Sequence, residues 1–96
     1  MSEHRDESGR LTYDFPDITA VAYADFVDSC VRNFNLQPAG PQTKAVDVVF
    51  QDFTSDGCVV GLEWDNWSGF VVVAKTKKSE TLAQEVALHI NARRDT

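Results

Sequence analysis

Apolar residues recur along the chain with two different periods. Tyr23, Phe26, Val27, Cys30 and Phe34 follow a three-four spacing with Asp25, Asp28 and Arg32 between them, which predicts an amphipathic helix over residues 18–33. Asp17 is placed to cap its start. The run QPAGPQ ends it, because proline lacks an amide donor and disfavours helix in the residue before it. Val46, Val48, Val49, Phe50 and Phe53 are β-branched or aromatic and predict a strand over residues 44–53. Ser-Asp-Gly then signals a hairpin. In the next strand, residues 58–64, Cys58, Val60, Leu62 and Trp64 share one face, and Val59, Gly61 and Glu63 share the other. A third strand is predicted over 70–75. Ser79 is placed to cap a last helix with a core stripe of Leu82, Val86 and Ile90, and Arg93 and Arg94 suit the negative end of its dipole.

At the N-terminus, LTYDF alternates apolar Leu11, Tyr13 and Phe15 with polar residues and reads as a short extra strand or as an extended arm laid on the domain. The polar residues 1–10 read as a disordered tail. The expected fold is therefore α+β, one small domain over residues 11–96. Its order is α-β-β-β-α, a three-stranded antiparallel meander with both helices on one face.

A length of 96 residues allows one domain, and 43% hydrophobic residues place the chain among globular proteins. No run reaches the roughly 18 apolar residues of a membrane-spanning helix, and MSEHRDESGR is too charged for a signal peptide, so a cytoplasmic protein is expected. Cys30 and Cys58 sit in different predicted elements and read as reduced thiols.

The net charge of −6 is uneven: residues 1–69 hold four basic and twelve acidic side chains, and residues 70–96 hold five and three. This favours a basic protein partner over nucleic acid or an anionic membrane. The element order, with Lys77 and Lys78 leading into the last helix, resembles that of double-stranded RNA-binding domains. That resemblance implies duplex RNA as ligand. Thr81 stands where a further lysine is expected, and an acidic chain contacts phosphates poorly, so nucleic acid is not the expected partner.

Between the second and third strands, GLEWDNWSGF places two indoles beside Glu63, Asp65 and Asn66. In a two-residue turn Trp64 and Trp67 would form a cross-strand pair that serves the sheet alone. The functional alternative has an exposed Trp67 meeting a partner, with Asp65 and Asn66 supplying hydrogen bonds. The number of loop residues decides which face continues: two or four put Val71 and Val73 beside Leu62, and three or five put Phe70, Val72 and Ala74 there.

The run FVVVA is apolar on both faces, so something must cover the third strand. The candidates are the chain's own segment 11–15, or a partner, a second copy included, docked on Val49 and Val59 together with Val71 or Val73.

Residues 52–63 imitate a calcium loop, with acids at the first, fifth and twelfth positions and Gly57 at the sixth, but both flanks are β-like. His4 lies in the tail and His89 borders the last helix stripe. Cys58 has no neighbouring base, and no metal-ligand spacing occurs.

The expectation is thus a small acidic protein-interaction module, inhibitor-like, antitoxin-like or an accessory subunit, without catalysis, metal or cofactor. Trp64 and Trp67 are its anchors and Asp56, Glu63, Asp65 and Asn66 surround them. A homodimer is one form of it. The alternative is a small-ligand binder or enzyme with a pocket between sheet and helix near this turn.

Overall fold

The computed structural model describes residues 1–95. In chain order the elements are β1 (Ser2–Arg5), β2 (Leu11–Phe15), α1 (Tyr23–Phe34), β3 (Gln37–Pro38), β4 (Thr43–Lys44), β5 (Val48–Ser55), β6 (Cys58–Asp65), β7 (Gly69–Ala74) and α2 (Glu80–Arg94). Single 3-10 turns, Ala20–Ala22 and Lys77–Ser79, lead into the two helices. The α+β class and the central meander β5-β6-β7 are as expected. The sheet has seven strands where three were expected, in the order β1-β2-β7-β6-β5-β3, with β4 also on β5.

Two of the added strands come from the N-terminus. The segment 11–15 is a strand, β2, antiparallel to β7, which makes β7 an interior strand. Residues 2–5, expected in a disordered tail, pair with β2 as β1. Their side chains are exposed, so no apolar pattern marks them. The strand is held by its ladder, by Arg5 bound to Glu80 at 2.6 Å and by His4 against Asp14 at 3.0 Å. Asp6 closes the β1–β2 turn by accepting from the amides of Ser8 and Arg10.

Both helices cover one face of the sheet. Phe15, Phe53, Val60, Leu62, Phe70, Val72 and Ala74 meet Val86, Ala83, Ala87 and Ile90 of α2 and Cys30 and Tyr23 of α1 in one core. The Tyr23 and Phe26 rings lie 5.4 and 6.0 Å from that of Phe70, and the Tyr23 hydroxyl donates to the Leu62 carbonyl. Ala83 and Ala87 let α2 approach the sheet closely.

Neither predicted cap operates. Asp17 instead binds Arg94 at 2.6 Å, and α1 starts after the 3-10 turn, at Tyr23. The Ser79 hydroxyl accepts from the Val59 amide at 2.7 Å, tying the start of α2 to β6. At the β5–β6 turn Asp56 and Gly57 both have positive φ, 51° and 79°, as the type I′ hairpin signalled by Ser-Asp-Gly requires.

Three residues, Asn66 to Ser68, join β6 to β7, since Asp65 pairs with Gly69 and Trp64 with Phe70. Phe70, Val72 and Ala74 therefore continue the face of Leu62, and Val71 and Val73 lie on the far face with Val59. Val49 pairs with Trp64 and lies on the helix face, so the expected set of four valines does not form one surface.

On the far face Val71 and Val73 are only 6% and 5% exposed although no helix covers them. Polar side chains shelter them. Lys75 reaches across Gly61 to Asp52 at 3.5 Å and to Glu63 at 3.3 Å, and on the other flank His4 meets Asp14. The expected need for a partner on this face is met largely by the chain's own ion pairs, with β2 closing the strand edge.

Candidate functional site

The two tryptophans, three residues apart, do opposite things. Trp64 lies on the helix face, half-buried, with its Nε1–H donating to the Ile18 carbonyl at 2.9 Å. Trp67 stands on the loop, 79% exposed. Its position is fixed by Asp65, whose Oδ1 accepts from the amides of Trp67 at 2.9 Å and Ser68 at 2.6 Å. Gly69 completes the turn with φ of 72°. A Cβ there would stand 2.1 Å from the Phe15 carbonyl oxygen, so glycine is required both by conformation and by the close passage of β2. Asn66 is exposed beside Trp67.

The other residues expected around the indoles are dispersed. Asp56 sits at the opposite end of β6, which is eight residues long and so spans roughly 25 Å at about 3.3 Å per residue. Glu63 is engaged with Lys75 on the far face. Asp52 and Glu63, the first and last positions of the calcium-loop imitation, do converge, but on the Lys75 ammonium. Among the described residues no cluster of three metal-ligating side chains occurs.

The end of the sheet that carries Trp67 also holds the β4–β5 turn, because Val48 pairs with Asp65, and the approach to α1, through the Ile18–Trp64 bond. Each contributes an exposed aliphatic residue missed in the sequence: Val46 in the turn is fully exposed, and Val21 in the 3-10 turn is 93% exposed. These three are the most exposed large apolar side chains among the described residues. At this end Val46 borders a cavity of about 190 Å³ whose lining includes Ala20, Tyr23, Ala24, Val49 and Trp64, and Val21 and Trp67 stand outside that lining. Val46 belongs to a turn and not to a strand, since Ala45 and Val48 close it by a main-chain bond of 2.8 Å. The signal for Val21 was its position off the helical stripe, two residues before Tyr23.

The cavity offers little chemistry. Burial pushes the Tyr23 hydroxyl well above the usual phenol range, with the Glu63 charge adding to it, and that hydroxyl is already a donor to Leu62. Lys44 supplies the lining's charge. Neither His89 nor Cys58 reaches it. His89 lies between the helices, its Nε2 2.8 Å from the Ser29 hydroxyl and its ring edge-on to Phe34 at 5.5 Å. The Cys58 thiol donates to the Lys78 carbonyl at 3.5 Å. Cys30 is buried, which pushes its thiol up to about 12, and both cysteines are free.

No protein-family model matches the chain, and no curated protein or solved structure matches it. Among the described residues no helix is long and apolar enough to cross a membrane.

Proposed function

We propose that the protein is an interaction module that binds another protein through the end of the sheet bearing Trp67, without catalysis. One observation carries this reading: Trp67, Val21 and Val46, the most exposed large apolar side chains among the described residues, lie on segments that meet at one end of the sheet, where Val46 borders a cavity, while Val71 and Val73 of the far face are sheltered. Isolated exposed apolar residues are ordinary, whereas grouped ones are typical of docking sites. Full burial of an aliphatic side chain gains roughly 1.5–3 kcal/mol, the scale of a binding hot spot. Trp67 adds a large ring on a turn whose main chain is held by the Asp65 carboxylate, so that little backbone order has to be imposed on binding.

The pocket-based alternative, a small-ligand binder or enzyme, draws on the same cavity, but His89 and Cys58 lie elsewhere and the Tyr23 hydroxyl is already bonded. Affinity capture from the source cells with wild type, Trp67→Ala and Val46→Ser tests the docking reading. The expected result is a protein retained by wild type and lost with either variant. A partner retained equally by all three contradicts it.

A further inference from the structure

We infer that the cleft between the β1–β2 turn and the start of α2 binds a small solute bearing a phosphoryl group. The cleft lies at the other end of β7 from Trp67, roughly 20 Å away along that strand, so the inference goes beyond the docking reading and does not depend on it. A cavity of about 370 Å³ opens there, inside the range of roughly 300–1,000 Å³ usual for small-molecule sites. Its lining holds Arg5, Arg10, Lys75 and Lys77 against one carboxylate, Glu80. Four of the chain's nine lysines and arginines thus border one cleft, although the net charge is −6. Among the described residues of the lining Ala74 is the only apolar side chain and none is aromatic, so a nucleobase or an apolar ligand finds no platform.

The donors of this lining are only partly used. Arg5 is set in place by bonds to both Glu80 oxygens, at 2.6 and 3.4 Å, and to the Gly9 carbonyl at 3.0 Å, which leaves part of its donor fork open. The Arg5 hydrogen bond, and after it the charges of Arg5 and Lys77, hold the Glu80 carboxyl below the usual carboxylate range, so Glu80 keeps Arg5 in place at neutral pH. The Arg10 guanidinium has only long contacts, to the Ser8 hydroxyl at 3.4 Å and to Asp6 at 3.7 Å. Lys77 is exposed and is in no ion pair among the described residues. The Lys75 ammonium is committed to Asp52 and Glu63 at 3.5 and 3.3 Å, so Arg5, Arg10 and Lys77 are the cations left to meet an anion. Asp6, Asp52 and Glu63 stand outside the lining and offset part of its charge. The attraction is therefore one of close-range N–H donors and not of a long-range field, which favours a compact anion over an extended one such as nucleic acid. The donors come from β1, from the turn after it and from the β7–α2 junction. A tetrahedral phosphoryl group presents oxygens in all these directions, whereas a carboxylate presents its oxygens in one plane, and guanidinium forks match phosphate well.

The test is a titration of the full chain, followed by amide NMR at low salt, with inorganic pyrophosphate, with citrate as a carboxylate of similar charge, and with vesicles containing a phosphatidylinositol phosphate. Pyrophosphate is expected to give saturable shifts at Gly9, Arg10, Thr76 and Lys77 with a Kd of about 1 mM or below, at least about fivefold tighter than citrate. Arg10→Gln with Lys77→Gln should weaken it at least about tenfold. Arg32→Gln with Lys44→Gln removes the same charge away from the cleft and should change it by no more than about twofold. Equal binding of citrate, equal losses in the two double variants, or no saturable shift at these amides overturns the inference. Binding to the vesicles in clear preference to pyrophosphate also overturns it, since the ligand would then be a lipid headgroup and not a solute.

Discussion

The indole Nε1–H of Trp64 donates to the carbonyl oxygen of Ile18 at 2.9 Å, joining the second hairpin of the meander to the turn ahead of α1. This bond brings Val21 and the Trp67 loop to the same end of the molecule. Trp64→Phe removes the donor and leaves a poorly solvated carbonyl, so it should lower stability by about 1 kcal/mol. Trp67→Ala, at an exposed position, should change it by no more than about 0.5 kcal/mol. Urea unfolding of the two variants measures the contrast, and equal losses would contradict the assignment of one inward and one outward indole.

Gly69→Ala should be far more harmful than either. Its left-handed φ and the Phe15 carbonyl in the path of any Cβ make strain and displacement of β2 additive, at a cost of about 2 kcal/mol or more. A Gly69→Ala protein as stable as wild type would show that β2 does not pass there.

The sheltered far face can be probed at Lys75. Lys75→Met keeps the aliphatic stem across Gly61 but leaves Asp52 and Glu63 without their shared cation, and the expected loss is about 1 kcal/mol at low salt, less at high salt. A loss independent of salt would assign Lys75 a packing role alone.

His89 should make stability depend on pH. Burial, with the Arg93 charge second, holds its imidazole below the ordinary value of 6.5. The unfolded chain therefore takes up the proton first, and stability falls as pH drops from about 6.5 through the lower folded value. His89→Gln should flatten this dependence between pH 7.5 and pH 5.5 in urea titrations, and an unchanged slope would contradict it.

The thiols give a rapid check of packing. Cys30 is fully buried with its thiol pushed up to about 12, so a disulfide reagent should label only Cys58 in the native protein and both on unfolding. Prompt native labelling of both would place Cys30 at the surface.

Much of this architecture is legible in the alternation and spacing of apolar residues. The amphipathic pattern from Tyr23 to Phe34, the Asp56-Gly57 turn and the double-faced apolar strand at Val71–Val73 each follow from a local rule with one strong solution. Strand β1 could not be read, because its four residues are polar and exposed and carry no alternating apolar face, although its partner β2 is the next strand along the chain. The caps at Asp17 and Ser79 were misread because tertiary partners, Arg94 and Val59, take those side chains. The candidate site was half legible: Trp67 and Asp65 stand out in GLEWDNWSGF, but the grouping with Val21 and Val46 depends on which strands end together. The separation of Asp56 from Trp67 likewise follows from the length of β6 and not from any property of the aspartate.

The most direct test of the docking end is photo-crosslinking in source cells with a benzophenone amino acid placed at Trp67 or, as a control, at Leu88 on the exposed side of α2. The account predicts a discrete adduct to another protein from position 67 and none from position 88. Adducts of equal yield from both, or from position 88 alone, would contradict it.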